Sequence, residues 1–208
     1  GLTLQVVKLE RLKKYKHIIW DWNGTLVNDV DFSIDVINKV LSRRRMQTID
    51  YDLYREIFGF PIKDYYKELG FTYENESFED VSNEFMYEYN RQSYICKLHE
   101  EVENILKRIS DANIRQSILS AMHEVELNKA VKDMNIDNHF YRIMGLSNNY
   151  AESKVDIGKL FMNEIGLNPG EVLLIGDTVH DYEVACELEC DCILVSKGHQ
   201  STSRLKRL

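Results

Sequence analysis

The stretch HIIWDWNGTL, at residues 17–26, decides the fold class of this chain. It begins with a short run of bulky side chains, reaches a carboxylate at Asp21, and then turns through Asn23 and Gly24. A short apolar run without polar alternation is typical of a strand that is buried on both faces of a parallel sheet. The stretch therefore predicts a buried strand with a carboxylate at its end.

Further apolar runs recur along the chain, and helical patterns separate them. The runs lie at residues 117–119, 142–144, 172–175 and 192–195. Apolar residues between the runs form stripes at helical spacing, namely Val102, Ile105, Leu106 and Ile109; Leu127, Ala130, Val131 and Met134; and Ile157, Leu160 and Phe161. Strands that alternate with helices predict an α/β fold with a doubly wound parallel sheet.

One long segment interrupts this alternation. Residues 31–98 contain helical, tyrosine-rich sequence and no run that resembles a buried strand. The segment is too long for an ordinary loop in a compact domain. We therefore predict a core domain formed by residues 1–30 and 99–208, and an inserted helical cap domain formed by residues 31–98. Within the cap, residues 58–61 predict a turn between two helices, and the tyrosines are expected to form its core.

Composition restricts the expected partners. The net charge is −8, from 26 basic and 34 acidic residues, which argues against binding to nucleic acid or to an anionic membrane. No apolar run is long enough to span a membrane, and Lys8 and Glu10 interrupt the only short apolar stretch near the N-terminus, so no signal peptide is expected. We expect a cytoplasmic protein. Its oligomeric state is left open by the sequence.

Cysteine usage agrees with a reducing compartment. The chain has 4 cysteines, and those near the C-terminus lack the paired spacing of common zinc sites. We expect small, buried, apolar residues rather than ligands. The cysteines are Cys96, Cys186, Cys190 and Cys192.

Reactive side chains follow the predicted strands at the same edge of the sheet. Asp21 and Ser120 come directly after an apolar run, and Asp177 follows one after a glycine. Asp181 lies one helical turn later, and Lys154 precedes that run. The carboxyl ends of parallel strands meet at one edge, where ligands bind. Clustered carboxylates need a divalent cation, and hard oxygen ligands favour Mg²⁺. A lysine and a hydroxyl group donate hydrogen bonds to phosphate oxygens, so the pattern indicates a magnesium and phosphate site.

Taken together, these residues resemble the motifs of haloacid-dehalogenase-like phosphatases. Residues 21–27 (DWNGTLV) resemble the first motif, D-x-D-G-T-L, and residues 176–181 (GDTVHD) match the fourth, G-D-x-x-x-D. Ser120 and Lys154 match the second and third motifs. The resemblance covers residues 17–199, and the helical insertion after the first motif is similar to the cap of this family. The pattern is similar to phosphoglycolate-phosphatase-like and phosphoglucomutase-like members.

The resemblance implies roles for the nucleophile and the metal ligands. Asp21 would attack phosphorus and form an aspartyl-phosphate, which splits one difficult displacement into two easier ones. Mg²⁺ would bind Asp21, the backbone carbonyl of Asn23, and Asp177. Asp181 would be a further ligand, direct or through water.

The resemblance also implies how the substrate is held. Ser120 and Lys154 would bind the oxygens of the transferring phosphoryl group. Gly24 would let the loop turn sharply, and Thr25 would form hydrogen bonds within it, so that both contribute to the phosphate site. The implied substrate is a small phosphorylated metabolite, and the sequence does not identify which one.

Asn23 departs from the family pattern. Active members carry an aspartate there, which serves as general acid and base, whereas an amide cannot exchange a proton at neutral pH. Losing such a group typically removes about 10²–10⁴-fold in rate for a poor leaving group. Two hypotheses therefore stay open, a phosphatase and a catalytically weakened relative that binds a phosphorylated ligand or a protein partner. An Asn23→Asp substitution is expected to accelerate hydrolysis of alkyl phosphates.

The remaining polar residues are expected to be structural or solvated. Dehalogenase chemistry is disfavoured because it needs no metal, yet both carboxylates of the fourth motif are present. Asn28 and Cys190 are smaller departures, at positions where relatives commonly place Asp and a helix-ending Gly. Lys159 is the close competitor of Lys154 for the role of the site lysine. The arginines Arg43, Arg44 and Arg45 are expected to form a solvated face, from which one could reach an anionic substrate. Surface or structural roles are expected for the histidines His123, His139, His180 and His199.

Overall fold

The computed structural model describes residues 8–147 and 153–208. Residues 1–7, which belong to the predicted core, lie outside the described part of the chain. The strands are β1 (His17–Trp20), β2 (Val27–Asn28), β3 (Lys97–Leu98), β4 (Arg115–His123), β5 (Arg142–Leu146), β6 (Val172–Gly176) and β7 (Asp191–Leu194). The α-helices are α1 (Leu9–Leu12), α2 (Val30–Arg43), α3 (Tyr51–Ile57), α4 (Ile62–Leu69), α5 (Phe78–Gln92), α6 (Val102–Asp111), α7 (Glu124–Asp133), α8 (Lys154–Ile165), α9 (Val179–Leu188) and α10 (Thr202–Leu205).

A five-stranded sheet of order β5-β4-β1-β6-β7 forms the centre of the fold. Every neighbouring pair in this sheet is parallel, and β1 lies between β4 and β6. All residues of β1 and β6 are buried, as the uninterrupted runs predict. The predicted α/β class and the parallel sheet are thus confirmed.

Both faces of this sheet are covered, which explains why β1 is apolar on both sides. Ile18 and Trp20 pack into a hydrophobic cluster that includes residues of α6. Ile19 packs on the opposite face with Phe161 of α8 and Val184 of α9. Because alternate side chains of a strand point to opposite faces, one short strand contributes to both clusters.

The apolar stripe predicted at residues 102–109 is confirmed in α6, whereas the one predicted at residues 157–161 is partly wrong in α8. The apolar residues predicted for α6 are all buried. In α8, however, Leu160 is 64% exposed, and Gly158 and Phe161 face the core instead. A Cβ atom at Gly158 would lie 3.0 Å from Leu188 Cδ1, so a side chain there would crowd α9. A pattern of apolar residues cannot detect a core position that requires the absence of a side chain.

Helices α2 to α5 make up the segment between β2 and β3. The predicted turn at residues 58–61 is present between α3 and α4. β2 and β3 pair antiparallel, so the two ends of the segment lie side by side. The segment also has its own hydrophobic cluster, which includes Ile37, Leu41, Tyr65, Tyr66 and Val81. These features support a cap domain at residues 31–98, whose boundaries stay a prediction.

Helix α3 is fastened to the chain segment that follows β7. The Arg55 guanidinium donates hydrogen bonds of 2.6–3.0 Å to three carbonyl oxygens of residues 196–200. Arg204 Nη1 donates in return to the carbonyl oxygens of Arg55 and Phe58, at 2.8 and 2.7 Å. These bonds fix the segment that carries His199.

Three further expectations concern the burial of the cysteines, the end of α9 and membrane-spanning helices. All four cysteines have free thiols. Cys186 is exposed and the other three are partly buried, so the expectation of buried cysteines is wrong for Cys186 and only partly met by the rest. Cys190 does not occupy the helix-ending position of α9, since the left-handed residue there is Glu189, with φ 59°. Among residues 8–147 and 153–208, no helix combines the length and apolar character that crossing a bilayer requires.

Candidate active site

The loop after β1 carries Asp21 and is shaped by Gly24. Gly24 has φ 79°, a left-handed conformation that glycine adopts without strain. A Cβ atom there would also collide with the side chains of Asp177 and His199. Gly24 therefore serves both the turn and the close approach of the segments that follow β6 and β7.

Three buried carboxylates meet at the carboxyl edge of the sheet. Asp21 follows β1, Asp177 follows β6, and Asp181 lies in the first turn of α9. Each offers an oxygen atom, and these atoms all lie within 4.8 Å of one another. The ammonium of Lys154, the first residue of α8, lies 2.8 Å from Asp21 Oδ1 and 2.7 Å from Asp181 Oδ1. Lys154 is itself only 5% exposed, so these ion pairs are shielded from water.

Hydroxyl and amide groups hold the carboxylates in place. Thr25 Oγ1 lies 3.0 Å from both Asp21 Oδ2 and Asp177 Oδ1. Asp181 Oδ2 accepts hydrogen bonds from the backbone amides of Asp177 and Thr178, each 3.1 Å, and from Thr178 Oγ1 at 2.9 Å. Both oxygens of Asp181 are thus engaged within the protein. This arrangement suits a water-mediated contact to a metal better than a direct one.

Burial and charge shift the pKa values of these groups. Burial, followed by the charge of Asp181, raises the pKa of Asp21, and burial together with the charge of Asp21 raises the pKa of Asp177 well above its usual range. Burial acts on Asp181 in the same direction, but the Lys154 ammonium and the hydrogen bonds from Thr178 and the Asp177 amide together outweigh burial and lower the pKa of Asp181. Burial disfavours a charged Lys154, yet the two carboxylates raise its pKa. Lys154 therefore stays charged, and Asp21 and Asp177 repel each other.

Ser120 lies within β4 rather than at its end. The strand continues to His123 through an irregular register after Leu119, so the expected strand end is wrong by three residues. Ser120 is buried, and its Oγ accepts a hydrogen bond of 3.0 Å from the Met122 amide. Within residues 8–147 and 153–208 the Ser120 hydroxyl donates no hydrogen bond, so its proton can serve a ligand there.

A cavity of about 460 Å³ connects these groups. The predicted site residues Asp21, Asn23, Ser120, Lys154, Asp177 and Asp181 all line it. Helices α3 and α5 and the turn before α4 supply a largely aromatic wall, formed by Tyr54, Phe58, Phe60, Phe85 and Tyr89. The structure thus brings together residues that lie far apart in the sequence, and their individual roles stay predictions.

The sequence did not single out one buried group of the cavity wall, centred on Asp29. Asp29 is 1% exposed, and its Oδ1 atom lies 2.9 Å from His199 Nε2. Tyr54 OH lies 2.6 Å from His199 Nδ1, and Tyr89 OH donates to Asp29 Oδ2 at 2.8 Å. The signal for His199 was its place just after β7, at the edge where ligands bind. Asp29 gave no signal, because its partners come from distant segments.

The other predicted surface residues lie apart from the carboxylates or on the cavity rim. Lys159 pairs with Glu187 at 3.4 Å, and both side chains are exposed. Arg43 and Arg44 form ion pairs within the helical segment, with Glu84 among their partners. His123 and His180 line the cavity, whereas His139 lies beside Ser110.

The protein combines a parallel α/β core, clustered aspartates and a buried lysine with a helical insertion. This combination defines a class of hydrolases. The sequence matches the haloacid dehalogenase-like hydrolase family over residues 18–195. The chain therefore belongs to this family.

Several known proteins are similar to the chain at low identity. The tyrosine-protein kinase PtkA of Mycobacterium tuberculosis is 22% identical over 184 residues, which cover 88% of the chain and 62% of PtkA. The chain thus spans less than two thirds of this curated relative. A haloacid dehalogenase-like family hydrolase from Streptococcus pneumoniae has a TM-score of 0.78 at 20% identity, covering 93% of this chain and 90% of that one. A predicted phosphatase from Clostridium acetobutylicum gives 0.78 at 19% identity, with the same coverage. These structures establish the fold.

Proposed function

We propose that this chain is a magnesium-dependent phosphatase that hydrolyses a small phosphorylated metabolite through an aspartyl-phosphate at Asp21. The observation that carries the proposal is the buried Lys154 ammonium, 2.8 Å from Asp21 Oδ1 at the base of the cavity. A nucleophilic carboxylate and a fixed cation at this distance suit transfer of a group whose oxygens carry negative charge.

The donor set fits a hard divalent cation. Asp21, Asp177 and the backbone carbonyl of Asn23 would hold Mg²⁺, with Asp181 contacting it through water. A cation there would offset the burial and the carboxylate repulsion that raise the pKa of Asp21 and Asp177. When bound, Mg²⁺ would supply positive charge to the oxygens of the phosphoryl group.

The protein's own residues would perform the transfer. An Asp21 carboxylate oxygen attacks phosphorus, the bond from phosphorus to the leaving oxygen breaks, and the leaving group departs as its oxyanion. Lys154 and the Ser120 hydroxyl donate hydrogen bonds to phosphoryl oxygens during this step. Thr25 holds Asp21 in position through its hydroxyl group. Water then cleaves the aspartyl-phosphate and releases inorganic phosphate.

Asn23 and the aromatic wall favour a particular kind of leaving group. Because an amide cannot donate a proton at neutral pH, the leaving oxygen must depart as an anion, which favours aryl and acyl phosphates. Tyr54, Phe58 and Phe60 would pack against an aryl group. The kinase named among the relatives acts on tyrosine, so phosphotyrosine is one aryl phosphate to test.

We also propose the setting in which this activity operates. The net charge of −8 supports a small-molecule substrate rather than nucleic acid or a membrane surface. The free thiols support a cytoplasmic location.

A second candidate function is binding without efficient turnover. The observation that favours it is Asn23 in place of an acid. In this case the cavity would hold a phosphorylated ligand or a phosphorylated segment of a protein partner.

A phosphate-release screen tests both candidates. Aryl, acyl and alkyl phosphates are incubated with the protein in Mg²⁺ or in EDTA, and Asp21→Asn provides the background. Release that requires both Mg²⁺ and Asp21 is the expected result. No release from any substrate, with calorimetric binding of a phosphorylated compound, would replace the phosphatase by the binding protein.

A further inference from the structure

The Asp29 carboxylate is the centre of a buried hydrogen-bond group that reaches Asn23. Asp29 Oδ2 accepts from Asn23 Nδ2 at 2.9 Å and from Tyr89 OH at 2.8 Å, while His199 Nε2 lies 2.9 Å from Oδ1. Asp29 and His199 are 1% and 4% exposed, so water does not compete for these bonds. The carboxylate therefore fixes every group that contacts it.

These contacts allow only one orientation of the Asn23 amide. Tyr89 OH gives its proton to Asp29, so its oxygen can accept the second hydrogen bond of Asn23 Nδ2, at 2.9 Å. The flipped amide would direct Oδ1 at a carboxylate that can only accept. Oδ1 is therefore turned away from Asp29, and it accepts no hydrogen bond within residues 8–147 and 153–208. Since Asn23 lines the cavity, Oδ1 is the acceptor that it offers to a ligand.

The same geometry decides which side chains position 23 tolerates. An aspartate there would place a second carboxylate oxygen about where Nδ2 now lies, 2.9 Å from Asp29 Oδ2. Two carboxylates in such contact repel, and a buried site offers little screening. Asn23→Asp, which the sequence suggested as a way to add a general acid, would therefore place its carboxylate against that of Asp29 in the cavity wall.

We propose that Asp29 is a positioning residue that holds the Asn23 amide with Oδ1 toward the group reacting at Asp21, and that excludes a carboxylate from position 23. The role of Oδ1 rests on the proposed phosphatase activity, whereas the exclusion does not. Oδ1 accepts a hydrogen bond from the water that cleaves the aspartyl-phosphate, which orients that water without removing its proton. The water oxygen bonds to phosphorus, the bond from phosphorus to the Asp21 oxygen breaks, and the water proton passes to an oxygen of the released phosphate. A carboxylate at position 23 becomes usable when position 29 is an amide.

A double-mutant cycle tests the exclusion. Urea unfolding is measured for the wild type, Asn23→Asp, Asp29→Asn and the double variant, which restores one amide and one carboxylate. We expect the double variant to unfold less readily than Asn23→Asp, by about tenfold or more in the unfolding constant, or about 1.4 kcal/mol. Asp50→Asn is the matched control, since Asp50 is an exposed N-cap of α3. The effects of Asp50→Asn and Asn23→Asp on the free energy of unfolding should add.

Kinetics test the positioning. With saturating Mg²⁺, Asn23→Asp should lose about tenfold or more in kcat on an aryl phosphate, and the double variant should regain it. The double variant should also show a higher ratio of alkyl to aryl rates than the wild type, because its carboxyl group can donate a proton. A purely structural role would restore stability without changing this ratio. If Asp29→Asn does not fold alone, Asn23→Asp and the double variant still provide the comparison.

The outcomes separate this inference from the proposed function. An additive cycle, or an Asn23→Asp variant as stable as the wild type with faster alkyl phosphate hydrolysis, would overturn the proposal. A coupled cycle without phosphate release from any variant would refute the phosphatase and the role of Oδ1, and would support the exclusion. A coupled cycle with the rate rescue supports both parts.

Discussion

Replacing Lys154 with methionine tests the electrostatics of the site most directly. The ammonium of Lys154 is the positive charge that the structure places between Asp21 and Asp181, at 2.8 and 2.7 Å. Methionine keeps much of the side-chain volume and removes the charge. Two buried carboxylates then lose their partner, and they stay close to Asp177. We expect a folded but strongly destabilised protein in the absence of a metal.

The expected loss follows from the burial of both partners. Removing one partner of a buried ion pair costs about 3–5 kcal/mol, because the other charge is left buried and uncompensated. For a chain of 208 residues, this corresponds to a fall in Tm of about 6–20 °C. Without the ammonium, the pKa of Asp21 rises further and the pKa of Asp181 loses an influence that lowers it, so the folded variant binds more protons than the folded wild type. The destabilisation should therefore diminish as the pH falls.

The assay is thermal unfolding in EDTA and in Mg²⁺, at several pH values. Ligand binding stabilises any folded protein, by about 2.7 kcal/mol at a hundredfold excess over Kd, so the wild type should also gain. The informative quantity is the rise in Tm that Mg²⁺ produces in each protein. This rise should be larger for Lys154→Met than for the wild type if Mg²⁺ replaces the lost charge. Lys159→Met is the control, because Lys159 lies in the same helix with an exposed side chain. A fall in Tm of only one or two degrees, with no extra gain from Mg²⁺, would refute this reasoning.

Three further predictions follow from individual residues. Asp21→Asn should abolish phosphate release while circular dichroism and Tm stay near those of the wild type, and full residual activity would exclude Asp21 as nucleophile. Aryl phosphates should be cleaved faster than alkyl phosphates by about 10²-fold or more, because Asn23 donates no proton; equal rates would point to another acid. Burial lowers the pKa of His17 to about 4, so stability present above pH 6.5 should be lost as the pH falls toward 4. At pH 5 this loss is about 2 kcal/mol of unfolding free energy. Urea unfolding of His17→Gln should not show this loss.

The strands and the placement of the carboxylates could be predicted because short-range signals determine them. The apolar run of β1 identifies a strand, and parallel order then places Asp21 and Asp177 at one edge. The resemblance of residues 21–27 to the first motif implied a sharp turn at Gly24, and the structure gives this residue a left-handed backbone. These inferences need only the local sequence and the common direction of the strands.

The Asp29 group could not be predicted because its members are brought together by the fold. His199 and Asp29 are separated by 170 positions in the chain, and Tyr54 and Tyr89 reach them from two helices of the insertion. A sequence pattern shows that these tyrosines are apolar enough to be buried. It does not show that their hydroxyl groups point at a carboxylate. The packing of α3 and α5 on the core supplies that information.

The balance of charge in the site gives an independent argument for a divalent cation. Asp21, Asp177 and Asp181 offer three carboxylates, and the described cations in contact with them amount to the single ammonium of Lys154. Left alone, this cluster is anionic when ionised and would repel a phosphorylated substrate. One divalent cation would bring the cluster to neutrality and still leave Lys154 charged toward the phosphoryl oxygens. A monovalent ion would leave net negative charge, and protonation of Asp21 would remove the nucleophile. Under the proposed phosphatase activity, a divalent cation would therefore keep Asp21 ionised and the substrate bound together.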